Sequence, residues 1–268
     1  MVAPIVDAGW LSDHPEAVVV DVRWYADGSS GRDVYLNAHL PGAVFVDLDR
    51  HLAAPPSPED GRHPLPNPEV FAEGMREAGI GDDDVVVVYD DDSGVIAARL
   101  VWMLRVTGHA AGLLDGGITA WRGRREQNVS TRQPAVFTAR PWPADRLAGI
   151  DDLDGVPLLD GRPADRFRGG NETLDPRPGH IPGARSLPVR ESSDEHGIAL
   201  PVPALRARLL AAGVAPGWVS MCGSGVTACH TLLVAEHLGL PPGRLYPGSW
   251  SQWAATDRPA ALGDEPAR

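Results

Sequence analysis

Short apolar runs, each bounded by Gly, Asp or Pro, recur along the chain and read as buried strands. In the first half they are Val18–Asp21, Val44–Asp47, Val85–Tyr89 and Gly112–Asp115; in the second, Leu158–Asp160, Ser186–Val189, Trp218–Met221 and Arg244–Tyr246. Between the third and fourth runs of each half the period changes. Val95, Ala98, Trp102 and Val106 stand three, four and four residues apart, which is one face of a helix, and Val226, Cys229 and Leu233 hold the same phase. Gly108 and Gly239 follow as helix ends. Strands alternating with helices predict an α/β protein with mainly parallel sheets covered by helices.

The pattern occurs twice because the sequence does. His39-Leu-Pro-Gly-Ala43 returns as His180-Ile-Pro-Gly-Ala184, 141 residues later, and Ser93-Gly94-Val95 returns as Ser224-Gly225-Val226, 131 residues later. Gly116-Gly-Ile-Thr-Ala-Trp121 is echoed by Pro247-Gly-Ser-Trp-Ser-Gln-Trp253. The second copy is thus about ten residues shorter between its first landmark and its loop, a difference a surface loop absorbs. The Pro-rich stretch Gln133 to Pro143 has no periodicity and reads as a linker. Two tandem domains follow, 1–132 and 146–268, joined by 133–145.

Composition narrows the function. With 43% hydrophobic and 22% charged residues the chain reads as a globular protein, and no apolar run approaches the roughly 20 residues that span a bilayer. The N-terminal residues show no secretory pattern, so a cytoplasmic protein without a membrane partner is the expectation. A net charge of -12 argues against nucleic acid. All 24 basic residues are Arg, so Schiff-base chemistry and a Walker lysine are both excluded. Two cysteines, Cys222 and Cys229, are too few for a disulfide framework or a four-cysteine zinc site. No metal and no cofactor is expected.

Cys222 is the candidate nucleophile. It falls on a strand-to-helix turn, Cys222-Gly223-Ser224-Gly225-Val226-Thr227, whose glycines let the backbone curl and turn several N–H groups toward one centre. The helix N-terminus behind adds positive potential, and both effects favour an anionic sulfur. The plain alternative is a buried cysteine in a glycine turn, which is the natural reading of Cys229.

The loop resembles the active-site loop of the mercaptopyruvate sulfurtransferases of the rhodanese superfamily; thiosulfate-preferring members usually carry Arg and Lys after the cysteine. The resemblance spans nearly the whole chain through the His39 and His180 motifs, the Asp115-Gly-Gly stretch and Gly248-Ser-Trp250. It implies two rhodanese-like domains, the second catalytic and the first inactive. The offset of 131 sets Asp91 opposite Cys222, and a carboxylate accepts no sulfur; the run Asp90-Asp91-Asp92 reads as a solvated cluster.

The resemblance further implies that Cys222 carries sulfur as a persulfide. Sulfur would come from a small-molecule donor and leave to a thioredoxin-like dithiol, a small thiol or cyanide. Arg166 and Arg177 would clamp the donor's carboxylate, with Arg185 a looser candidate, while Gly223, Gly225, Val226 and Thr227 would line the substrate site. A His–Asp–Ser relay would be His39, Asp33 and Ser224. For His39 an alternative stays open: like His180, it would serve only to hold its turn through hydrogen bonds. Physical reasoning agrees on the donor. A loop offering N–H and hydroxyl donors suits a monocarboxylate thiol better than the thiosulfate dianion, and a thiosulfate sulfurtransferase stays the closest enzyme alternative.

Three other readings are weaker. A cysteine phosphatase of the common kind needs Arg six residues after the nucleophile, where this chain has Ala228. Zinc at Cys222, Cys229 and His230 lacks usual spacing and a fourth ligand. A non-catalytic binding module would be marked by a lost cysteine or a broken loop, and the second copy has neither.

Overall fold

Val85 to Val88 form the middle of a parallel sheet buried on both faces, which is why every position in the run is apolar rather than every second one. The computed structural model describes residues 2–264, and the chain divides into two units. The first takes everything through Ala54 together with Pro66–Trp142 and Ser193–Ala199; the second takes Pro55–Leu65, Pro143–Ser192 and the chain from Leu200.

The first unit contains β1 (Ile5–Val6), β2 (Val18–Asp21), β3 (Val44–Phe45), β4 (Val85–Tyr89) and β5 (Ala110–Leu114). All are parallel, in the order β1-β5-β4-β2-β3. Its helices are α1 (Ala8–Asp13), α2 (Gly31–Asn37), α3 (Pro68–Glu77), α4 (Ala98–Val106) and α5 (Gly117–Ala120). The second unit has β6 (Leu158–Asp160), β7 (Arg185–Ser186), β8 (Val219–Met221) and β9 (Arg244–Leu245), parallel in the order β7-β6-β8-β9. Around it lie α6 (Ala164–Arg168), α7 (Val202–Ala212), α8 (Ala228–His237) and α9 (Ser249–Ala254).

Two strands, β3 and β7, end two or more residues before their apolar runs do. After Phe45, Asp47 turns its side chain to accept from the N–H of Arg50 and caps a short helical turn. After Ser186, Pro188 has no N–H to continue a ladder, and Val189 opens another helical turn. Helices α4 and α8 are more buried than a single apolar stripe requires: Ala98 to Leu104 and Ala228 to Ala235 are buried without a break. Both helices end, as expected, at glycines in the left-handed region, Gly108 (φ +87) and Gly239 (φ +64).

The repeat is visible in polar detail. Asp21 and Arg23, fully or nearly buried, form a 2.7 Å ion pair, and Arg23 also donates to the carbonyl of Ala38. Asp160 and Arg162 form the same 2.7 Å pair, with Arg162 donating to the carbonyl of Gly179. Each pair holds the residue just before a His-x-Pro-Gly-Ala motif. Each histidine then donates from Nδ1 to a carbonyl, His39 to Tyr35 (2.8 Å) and His180 to Phe167 (2.9 Å), and stacks on that same aromatic ring.

The sheet registers also fix which residue of the first unit matches Cys222. Asp21 pairs with Tyr89 and Asp160 with Met221, so the residues that follow, Asp90 and Cys222, are equivalent. The N–H of Ile118 donates to Asp90 O as that of Trp250 donates to Cys222 O. Asp90, not Asp91, therefore stands opposite Cys222. The first loop carries one extra residue before its glycine, and counting back from Ser93 shifts the match by one. Nor is the acidic run uniformly solvated. Asp91 is exposed and accepts from Tyr25 Oη at 2.6 Å, but Asp90 is fully buried.

Candidate active site

β8 ends at Met221 and delivers Cys222, 2% exposed, to the start of the turn into α8. The turn is held by the first residues of α9. Cys222 N–H donates to Ser249 Oγ at 3.1 Å, and the N–H groups of Trp250 and Ser251 donate to the carbonyls of Cys222 and Gly223. Gly225 takes φ +78, and a Cβ there would lie 2.5 Å from the carbonyl oxygen of Pro247, so only glycine fits. Val226 and Thr227 lead into α8 by accepting from the N–H groups of Cys229 and His230.

Gly223 differs from the expectation of a curled glycine. Its φ is not left-handed; instead a Cβ built on it would lie 3.2 Å from Arg62 Nη2 and 3.7 Å from Arg166 Nη1. Two guanidinium groups thus face the residue next to Cys222. Arg166, on α6, donates to Glu172 at 2.8 to 3.2 Å and to Asp175 at 3.1 Å. Arg62 donates to the other oxygen of Asp175 through Nη1. Burial pushes Asp175 above the ordinary carboxylate range against the pull of Arg62, while the hydrogen bonds from Arg166 hold Glu172 below it.

Ser224 Oγ, nearly buried, lies 2.7 Å from Nδ1 of His63. His63 and Arg62 come from the segment Pro55–Leu65, which belongs to the second unit although it lies in the first half of the chain. Neither residue stands out in the sequence. The one trace of them is the surplus of about ten residues in the first copy, a length that includes this segment.

The ring on Ser224 is therefore that of His63, whereas the expectation had assigned that place to His39. His39 is fully buried in the first unit, with Nδ1 on the Tyr35 carbonyl and Nε2 3.2 Å from Ser130 Oγ, so both ring nitrogens are engaged in holding its turn. Asp33 lies exposed in the first turn of α2, where its N–H donates to the N-cap Ser30. Arg177 donates through Nη2 to the carbonyls of Trp253 and Arg258 and so closes the C-terminal end of α9, leaving the place beside Gly223 to Arg62. Arg185 donates to the carbonyl of Ala212. Cys229 is fully buried in α8 with its thiol on the Gly225 carbonyl, and neither cysteine is in a disulfide. Burial pushes His230 down to about 4, and it adds no charge to the site. Among the described residues no group of His, Cys, Asp and Glu could hold a metal ion, and no helix is long and apolar enough to cross a membrane.

The arrangement sets a buried cysteine at the start of a strand-to-helix turn, a serine–histidine pair two residues on, and two guanidinium edges against the intervening glycine. Comparison with known proteins agrees. A family model described as "Rhodanese-like domain" matches residues 7–124 and again 143–256. A protein of Pseudomonas aeruginosa named as a probable 3-mercaptopyruvate sulfurtransferase is 40% identical over 93% of this chain and 94% of its own length. A putative thiosulfate sulfurtransferase of Mycobacterium tuberculosis is 37% identical over 96% and 94%. The structure of 3-mercaptopyruvate sulfurtransferase from Leishmania major superposes with a TM-score of 0.86 at 30% identity, covering 96% of this chain and 75% of that one.

Proposed function

Since the chain belongs to the rhodanese family and carries two rhodanese-like domains, we propose that it is a sulfurtransferase that takes sulfur from 3-mercaptopyruvate onto Cys222 and passes it to a thiol or cyanide. The observation that carries this reading is the 2.7 Å contact between His63 Nδ1 and Ser224 Oγ at the Cys222 turn, a proton path beside a nucleophile.

The steps balance without a cofactor. The Cys222 thiolate attacks the donor sulfur; an S–S bond forms as the C–S bond breaks, and the carbon leaves as the enolate of pyruvate. The donor's thiol proton passes to the enolate carbon through Ser224 and His63, giving pyruvate and the Cys222 persulfide anion. Arg166 holds the donor carboxylate and steadies the enolate oxygen. In the second half-reaction a nucleophilic acceptor, a thioredoxin-like dithiol, a small thiol or cyanide, attacks the outer sulfur and returns the Cys222 thiolate. N–H groups of the turn around Gly223 and Gly225, with the first turn of α8 at Val226 and Thr227, stabilise the persulfide anion. Cysteines outside any disulfide and this thiol chemistry suit a reducing compartment such as the cytoplasm.

Steady-state transfer from mercaptopyruvate to cyanide or a dithiol tests the reading. Wild-type turnover that vanishes in Cys222→Ser is the expected result; a serine variant that still turns over would overturn it.

A further inference from the structure

Three carboxylates and three arginines alternate in a row through the second unit: Asp160, Arg162, Glu172, Arg166, Asp175 and Arg62. At one end Arg162, paired with Asp160, lies 3.7 Å from Glu172 and stacks 4.6 Å from the centre of the Trp250 ring. Trp250 is the residue whose N–H holds the Cys222 carbonyl. In the middle, Glu172 accepts from Arg166 on both oxygens. Its Oε1 also accepts from the N–H groups of Leu174 and Asp175, at 3.0 and 3.1 Å. The carboxylate that grips Arg166 thus fixes the backbone of Asp175 as well.

Asp175, its side chain 1% exposed, joins the last two arginines. One oxygen takes Arg166 Nη2 at 3.1 Å and the other takes Arg62 Nη1. The edges turned the other way, Arg62 Nη2 and Arg166 Nη1, lie against Gly223, and among the described residues neither has a hydrogen-bond acceptor. Stability does not account for this carboxylate. Its burial opposes ionisation, and a buried ion pair returns little net stability. Nor does Coulomb attraction account for it, because a negative charge behind two cations weakens their pull on an anion. What it supplies is direction: a guanidinium already held by one edge loses little freedom when its open edge is met.

We propose that Asp175 is a positioning residue, which bridges Arg62 and Arg166 so that their open edges stand ready beside Gly223 for the carboxylate of the donor. The inference rests on the persulfide reading of Cys222 and on Arg166 as the donor's anchor. Asp175 acts only through the two arginines.

Asp175→Asn keeps the shape, removes the charge and presents an NH2 to one of the two guanidinium groups. With cyanide as acceptor, KM for mercaptopyruvate should rise about 10- to 100-fold, as for a misplaced binding group, while kcat falls less than about threefold. A carboxylate acting through its charge alone would give a lower KM, and one serving only the fold would lower kcat at constant KM; either result overturns the proposal. Nitrogen NMR of wild type with isotope-labelled arginine decides the matter even if Asp175→Asn does not fold. The Nη1 and Nη2 resonances of Arg62 and Arg166, identified by their loss in Arg62→Gln and Arg166→Gln, should be separate, as for guanidinium groups held against rotation; averaged resonances overturn it. Should wild type turn over no mercaptopyruvate, the persulfide reading fails, and calorimetric binding of mercaptopyruvate to Cys222→Ser still tests Asp175. Binding weakened about 10- to 100-fold by adding Asp175→Asn supports the positioning role; binding that is absent, unchanged or tighter overturns it.

Discussion

At the scale of residues, the site divides into what lies next to Cys222 in sequence and what reaches it through space. Cys222, Ser224 and Gly225 were legible because a strand, a glycine turn and a helix are all local. Gly223 was legible as a position but not in its reason, since its neighbours Arg62 and Arg166 lie far away in sequence. His63 was not legible at all: a His in a polar, Pro-rich stretch carries no periodic signal, and His39 sits in a recurring motif that draws attention for structural reasons. If His63 and Ser224 move one proton together, the loss of either breaks the same path. His63→Ala and Ser224→Ala should each lower kcat/KM for mercaptopyruvate by about 10²- to 10³-fold. The double variant should fall little further, because groups acting as a unit are not additive. Losses that multiply in a double-mutant cycle would show two separate roles.

At the scale of elements, the equivalence of Asp90 and Cys222 explains why the first copy keeps its turn. The carboxylate of Asp90 accepts from the N–H groups of Asp92, Gly94, Ile96 and Ala97 at 2.7 to 2.9 Å, filling from within the N–H-lined turn that leads into α4. On the proposed persulfide chemistry, the shape that would receive an anionic sulfur in one copy is occupied by a side chain in the other. One added residue before Gly94 hid this match, since a repeat is aligned by its landmarks and not by its hydrogen bonds. Burial pushes Asp90 up to about 6 from 3.8 even against those four donors. A carboxyl whose pKa is higher folded than unfolded favours the folded state in its neutral form. Its contribution is complete below pH 3.8 and is lost as pH rises through about 6. The span corresponds to about 3 kcal/mol at ~1.4 kcal/mol per unit. Chemical unfolding of wild type and Asp90→Asn from pH 4 to 7 should show the wild-type advantage shrinking by that order as pH rises. A gap that stays constant or widens would mean that the N–H groups keep Asp90 ionised throughout.

At the scale of the whole molecule, the two halves of the sequence and the two units of the structure are not the same division. The repeat was legible, because tandem copies leave matching motifs and matching strands, down to Asp21–Arg23 and Asp160–Arg162. The exchange of segments was not, because nothing local distinguishes a loop that packs on its own copy from one that does not. Pro55–Leu65 belongs to the second unit and Ser193–Ala199 to the first, where Asp115 accepts from the N–H of Ala199 at 2.8 Å. The first half of the sequence therefore does more than repeat the second: it supplies Arg62 and His63 to the second unit. Most of Pro55–Leu65 is exposed or half-buried, so its side chains contribute little to either core. Replacing Glu59–His63 in the full chain with a Gly-Ser segment of equal length should shift the thermal midpoint by only about 2 to 4 °C, the effect of roughly 1 kcal/mol in a chain of this size. The same replacement should cut transfer from mercaptopyruvate by more than about 100-fold, because Ser224 loses its proton partner. A chain that keeps both its midpoint and its rate would show that the second half performs the reaction unaided; one that unfolds would show that the segment is structural first.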